Sequence, residues 1–187
     1  GLNNEGVEVI AERVDRQLVK AHKAGLCVGI SVAETPGLTD PEEKLKDIIE
    51  SFSIAYKAAD YIEINVSCPN TGESRVDLDM SFSERIFTEI MKFRNTLGLR
   101  KAVYAKLSPD LSERHLIAIM EMLVRTGVNG VVVGNTYPTA KISELPVSTK
   151  YDELRPLRDD GDCGGMSGRP LYEFRDMGQD GLRNLGT

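Results

Sequence analysis

The chain has 187 residues, 41% apolar and 28% charged, with a formal net charge of −6; this is enough for one domain with a sizeable core, and the acidic balance argues against a nucleic-acid surface, which needs clustered Lys and Arg. No apolar run approaches the ~20 residues that span a bilayer and no secretory signal opens the chain, so a cytoplasmic location is expected. Cys27, Cys68 and Cys163 form no CxxC pair, which suits a reducing compartment and supplies neither a disulfide framework nor a metal site, while His22 and His115, the only histidines, read as solvated helix residues and give a histidine-based mechanism little to build on.

Val7, Ile10, Val14 and Leu18 recur at helical spacing behind the acids Glu5, Glu8 and Glu12, and Gly25 closes that helix. Residues 26–32 then read as a buried strand. Asp40-Pro41-Glu42-Glu43 signals a second helix, with a capping carboxylate, proline at the first helical position and early acids. Its core stripe runs through Leu45, Ile48, Ile49, Phe52 and Ala59, and a strand over 61–66 follows. A third helix is expected from about Ser83, with Ile86, Ile90, Phe93 and Leu97 on one face, and then a strand over 101–107. The Ser108 to Ser112 turn introduces a helix carrying Leu116, Ile119, Met120 and Leu123, before a strand at 130–133. The stretch from Tyr137 to Gly165 is aperiodic and reads as a functional loop; residues 170–185 read as a weaker final helix.

Four buried strands alternating with helices imply stacked βαβ units and a parallel sheet. A doubly wound sheet and a (β/α)8 barrel both fit that count, but no GxGxxG follows any strand, which weakens the dinucleotide-binding form of the former. Ser31, Asn65, Lys106 and Asn135 all fall at or near the C-terminal ends of the four strands, the ends that converge on one mouth in a barrel. The expected fold is therefore α/β, a partial (β/α)8 TIM barrel of about four parallel strands. At the second exit, Asn65-Val66-Ser67-Cys68-Pro69-Asn70-Thr71 replaces an apolar strand with amides, hydroxyls and a thiol, and Pro69 prevents the strand from simply continuing. An ordinary polar turn is the plain alternative for that run taken alone.

Four segments in order, Asn65 to Thr71, Lys106-Leu107-Ser108-Pro109-Asp110-Leu111, Asn135-Thr136 and Gly164-Gly165-Met166-Ser167-Gly168-Arg169-Pro170-Leu171, resemble the successive signatures of dihydroorotate dehydrogenases, flavin-dependent (β/α)8 barrels of pyrimidine (UMP) biosynthesis. Gly1 to Gly6 resembles the segment before that family's third barrel strand, so the resemblance spans nearly the whole chain. It implies an oxidoreductase that uses FMN to oxidise dihydroorotate to orotate. Cys68 matches the base, and a thiol, with an ordinary pKa of about 8.5, ionises far more easily than a hydroxyl. Thr71 matches a supporting position beside it. Asn65 matches a residue that contacts flavin and substrate, and Asn70, Asn135 and Thr136 match substrate-binding positions, where amides suit a ring of alternating carbonyls and N–H groups. Lys106 matches the lysine beside the flavin, whose charge stabilises the reduced ring. Gly168 matches a flavin-contacting glycine, and Ser31 and Gly134 fall at further flavin-contacting positions.

Two departures bear on the details. Cysteine at 68 is typical of the soluble class 1 enzymes, whereas Pro69-Asn70-Thr71, Ser108 to Leu111 and Asn135-Thr136 look like the membrane-linked class 2. The resemblance thus implies a quinone as acceptor, with fumarate or NAD as alternatives, and with a quinone it implies peripheral membrane contact through a segment upstream of Gly1. Ser31 stands where the family has asparagine, and Gly134 where class 2 has threonine. Residues 1–187 are expected to form a single unit, the central part of the barrel without its first two and last two strands, and alone to bind FMN poorly and turn over little. Oligomeric state is left open. Competing readings are a related dihydropyrimidine-type flavin oxidoreductase, a barrel lyase in which Lys106 forms a Schiff base, and an inactive fragment.

Overall fold

The computed structural model describes residues 4–66, 80–109, 111–138 and 165–168. Helix α1 (Val7–Lys23) leads into strand β1 (Gly29–Val32), and three more helix–strand pairs follow: α2 (Pro41–Ala58) with β2 (Tyr61–Asn65), α3 (Met80–Thr96) with β3 (Ala102–Leu107), and α4 (Glu113–Thr126) with β4 (Gly130–Val133). The strands form one parallel sheet in the order β1-β2-β3-β4. A doubly wound sheet reverses its strand order at a switch point; here each strand is laid beside the last, as in a barrel wall.

Burial follows the same logic. Ile30, Val32, Ile62, Ile64, Val103, Ala105 and Leu107 alternate along their strands and are buried, because successive strand side chains point to opposite faces. Against them pack Phe52, Ala55, Phe87, Ile90, Met122 and Leu123 from the helices. The helices contact one another in sequence, α1 with α2, α2 with α3 and α3 with α4. The alternate strand residues, such as Gly29, Tyr61, Glu63, Tyr104 and Lys106, are only half-buried. One face of the sheet is covered by helices, and the other carries the polar residues.

Local signals place the helices. Asp40 accepts from the amides of Glu42 at 2.7 Å and Glu43 at 3.3 Å, with Pro41 at the first helical position of α2. Ser112 caps α4 by accepting from the His115 amide at 3.3 Å. Arg85 of α3 reaches Glu42 at the start of α2 through two hydrogen bonds. Tyr56 near the end of α2 accepts from the Lys101 amide at 2.7 Å, and Lys101 Nζ returns a bond to the Tyr56 carbonyl at 2.6 Å, tying the helix end to the start of β3.

Two side chains repeat one device at the starts of strands. The amide of Asp60 donates to the Val28 carbonyl at 2.8 Å, and the Val28 amide donates to Asp60 Oδ2 at 2.8 Å. The amide of Asn129 donates to the Val103 carbonyl at 2.9 Å, and the Val103 amide donates to Asn129 Oδ1 at 2.9 Å. Each closes a two-bond ring between the residue before one strand and the neighbouring strand, so β2 is aligned on β1 and β4 on β3 before the ladder begins. Arg94, almost fully buried, adds its Nη1 to the same Asn129 oxygen at 2.7 Å.

Some expectations need correction. β1 begins at Gly29 rather than at residue 26, because Leu26 still bonds back to the Ala21 carbonyl and, like Cys27, is exposed. α3 begins at Met80, earlier than the apolar stripe indicated. The aperiodic stretch opens and closes with two-residue strands, β5 (Tyr137–Pro138) and β6 (Gly165–Met166), paired antiparallel; two residues are too few for any period to register. The two histidines, by contrast, are exposed helix residues as expected, and each has a polar partner. His22 Nε2 lies 2.9 Å from Asp60 Oδ1, and His115 Nδ1 lies 3.0 Å from Ser112 Oγ. The helix expected over 170–185 lies outside the described residues. Among the described residues no helix is long and apolar enough to cross a membrane.

The Val28 amide first, and His22 second, hold the Asp60 carboxyl below its ordinary value. A depressed folded-state value stabilises the fold above the ordinary carboxyl value of about 3.9, and that contribution is lost as pH falls through the folded value. Asp60→Asn retains an acceptor for Val28, as Asn129 does for Val103, but lacks the charge-dependent contribution, so it should unfold somewhat below the wild-type temperature at neutral pH and converge on wild type as pH falls through the folded value of Asp60. Asp60→Ala should lower the midpoint at neutral pH; thermal melts across pH 3–7 compare the three. Asn129→Ala strands the Val103 amide and one Arg94 nitrogen and should cost about 1–3 kcal/mol in denaturant titration.

Candidate active site

The sheet face away from the helices is built in layers. The lowest holds an aromatic pair, Tyr61 and Tyr104, with ring centroids 5.6 Å apart and planes at 85°. Edge-to-face packing is a favoured aromatic geometry. The rings need flat ground on either side. A Cβ on Gly29, the register partner of Tyr61, would fall 2.2 Å from the Tyr61 ring, and one on Gly130, the partner of Tyr104, 3.2 Å from the Tyr104 ring.

Next toward the exits lies a polar row drawn from three strands. Ser31 pairs with Glu63 in the ladder, and Ser31 Oγ donates to Glu63 Oε1 at 2.7 Å. The same Oε1 lies 3.9 Å from Lys106 Nζ, and both side chains are largely screened from solvent. Lys106 sits opposite Asn65 in register, one step closer to the exits than Glu63, so the Lys106–Glu63 contact is a diagonal one across the β2–β3 pair.

The loops continue this layer. Beyond β1, Lys44 of α2 is buried and lies 3.6 Å from Glu34, and Asp47 accepts from both the amide and the hydroxyl of Thr35 at 2.8 Å. The loop that follows Ser31 is thereby held against the start of α2. Beyond β4, the Asn135 amide donates to the Leu107 carbonyl at 3.1 Å, carrying the β3–β4 alignment past the last strand residue. The Thr136 amide donates to Asn135 Oδ1 at 2.9 Å. Gly134 packs closely enough that an added Cβ would lie 3.4 Å from Pro109 Cβ. The β5–β6 ribbon sets Met166 beside Tyr137, and Gly168 follows two residues later, exposed and at φ 87°, a conformation that favours glycine over any side chain.

Of the residues singled out in the sequence, Ser31, Asn65 and Lys106 share one sheet face, and Gly134, Asn135 and Thr136 leave β4 next to the end of β3. Cys68, Asn70 and Thr71 lie outside the described residues. Ser31 differs from expectation in one respect, since its hydroxyl proton is committed to Glu63. Glu63 itself is the member that sequence reading passed over. Its signal was present: in Tyr61-Ile62-Glu63-Ile64-Asn65 the odd positions share a face, so an acid two residues before Asn65 faces the same way as Asn65.

A family model described as Dihydroorotate dehydrogenase matches residues 1–178. Among curated proteins, the chain is 29% identical over 180 residues to the dihydroorotate dehydrogenase (quinone) of Acidovorax sp. (strain JS42), covering 92% of this chain and 48% of that protein. It is 31% identical over 179 residues to the protein of the same name from Agrobacterium fabrum, covering 93% and 44%. Ligand-free DHODH from Eimeria tenella superposes with a TM-score of 0.69 at 22% identity, over 90% of this chain and 48% of that one, a likeness of fold. The four strands and their helices are thus part of a barrel, and the chain spans about half the length of the curated relatives it matches.

Gly29→Ala should push the Tyr61 ring off Tyr104 and cost about 1–3 kcal/mol, the usual range for overpacking. Loss of near-ultraviolet tyrosine dichroism, with the far-ultraviolet helix signal retained, is the spectroscopic check.

Proposed function

The chain belongs to the dihydroorotate dehydrogenase family, and from that premise we propose that it supplies the central strands of an FMN site in which dihydroorotate is oxidised to orotate. The observation that carries this reading is the gathering of Ser31, Asn65, Lys106 and the Gly134–Thr136 turn at the ends of four consecutive parallel strands. The donor set fits a flavin. Lys106 provides a cation and Asn65 an amide beside it in register, and Gly134 leaves only backbone where a side chain would meet Pro109.

In this reading Cys68 takes a proton from a ring carbon of dihydroorotate, with Thr71 supporting the thiolate. When bound, FMN supplies the hydride acceptor. Lys106 holds positive charge at the strand exits, where negative charge grows during the reaction. Asn65, Asn70, Asn135 and Thr136 orient the pyrimidine through its alternating carbonyl and N–H groups. Ser31 contributes its oxygen, because its proton is given to Glu63. The names of the curated relatives favour a quinone as electron acceptor over fumarate or NAD, and with it a peripheral contact with a membrane. Neither a Schiff-base lyase nor an inert remnant draws support from the family.

The protein purified with its natural flanking sequence should carry stoichiometric flavin absorbance and reduce a soluble quinone analogue with dihydroorotate in preference to fumarate or NAD. Cys68→Ala should retain the flavin and lose on the order of 10²- to 10⁴-fold in kcat. Cys68→Ser should move the alkaline-requiring limb of the rate profile to higher pH. Full activity in Cys68→Ala would remove the thiol from the mechanism, and oxidation of dihydrouracil in preference to dihydroorotate would redirect the substrate to pyrimidines lacking the carboxylate.

A further inference from the structure

Building on the reading of Lys106 as the flavin-side cation, we propose that Glu63 is a positioning residue that holds the Lys106 ammonium at the strand exits, with Ser31 as its brace. Three neighbouring strands contribute one side chain each, and a single oxygen joins them. Ser31 Oγ donates to Glu63 Oε1 at 2.7 Å, and Lys106 Nζ stands 3.9 Å from that same atom. Side-chain exposure is 15% for Glu63 and 23% for Lys106, so the pair lies in the wall of the sheet, where solvent screening is reduced.

The chemistry of the two partners explains the arrangement. A lysine carries a point charge on a flexible four-carbon stem, and a stem left to sample its rotamers spreads that charge over several positions. Electrostatic stabilisation of a transition state depends on charge already in place. The hydroxyl of Ser31 fixes one Glu63 oxygen, and that oxygen gives Lys106 a fixed counter-charge diagonally below it. Glu63 also balances the lysine's charge, so the wall beneath the exits is close to neutral. Substituting the carboxylate leaves a net positive wall facing the bound ring.

Glu63→Gln is the informative variant, because its amide oxygen still accepts from Ser31 while the charge is gone. Two measurements on the purified protein with its natural flanking sequence test the idea. With flavin removed, competitive acetylation read by peptide mass spectrometry should modify Lys106 about two- to fivefold faster in Glu63→Gln than in wild type, the scale of a partly screened ion pair. Steady-state kinetics should show kcat lowered with KM little changed, and in a Lys106→Met background Glu63→Gln should add nothing further, the signature of a residue that acts through its neighbour.

An unchanged Lys106 acetylation rate in a folded Glu63→Gln protein overturns the proposal, as does an equal loss of kcat in the presence and absence of Lys106. If wild-type protein binds no flavin, the flavin reading fails, and the acetylation arm still decides whether Glu63 holds Lys106. Should circular dichroism show Glu63→Gln unfolded, Ser31→Ala takes its place in the flavin-free protein; it removes the brace while leaving Glu63 charged and should accelerate Lys106 labelling in the same direction, with no acceleration counting against the proposal.

Discussion

The register of the four-strand parallel ladder is the constraint on which the candidate site depends. Side chains alternate with a period of two, so a slip of one residue would carry Lys106 or Asn65 from the open face into the helix-covered core and bring an apolar neighbour out. Two kinds of interaction oppose such a slip. Apolar residues at every second position, Ile62, Ile64, Val103, Ala105 and Leu107, are buried to 2% exposure or less against the helices. At the starts of strands, Asp60 and Asn129 close two-bond rings on Val28 and Val103. The rings lie at the end of the sheet opposite the polar exits. The aligning contacts are thus concentrated at one end and the candidate site at the other, the division expected of a barrel wall.

Between those ends, the open face passes from packing to polarity in two steps. The Tyr61–Tyr104 pair rests over Gly29 and Gly130 and fills the lower layer with aromatic surface. The Ser31–Glu63–Lys106 row lies above it, and Asn65 borders the exits. The half-buried Lys106 ammonium has Glu63 close by to offset part of its desolvation. The same contact gives Lys106 a counter-charge on the open face of the sheet, next to the strand exits.

Much of the scaffold was readable from periodicity and capping. Asp40-Pro41 and Ser112 cap the helices they were expected to open, and the four strands fall within or close to their expected spans. Errors occurred where the local signal was weak. Leu26 and Cys27 look like strand residues but remain in the exit turn of α1, and the two-residue strands β5 and β6 are too short to carry a pattern. His22 and His115 are exposed helix residues, as their charged neighbours indicated; Ser112 lies within one turn of His115, whereas Asp60, the partner of His22, is apparent only once the chain has folded back.

By itself the sequence determined the element types, the apolar face of each strand, and the motifs that tie the chain to the dihydroorotate dehydrogenase family, because period, caps and short signatures are local properties. It left a doubly wound sheet and a barrel both open by strand count. Only the tertiary structure decided the strand order, the single covered face and the gathering of Ser31, Glu63 and Lys106 around one oxygen. These depend on which residues meet across strands, 32 residues apart for Ser31 and Glu63 and 43 for Glu63 and Lys106, and cross-strand neighbours are set by register rather than by sequence spacing. Glu63 shows the difference most plainly: in the sequence it is an acid interrupting an apolar run, and in the sheet it is the counter-charge to Lys106.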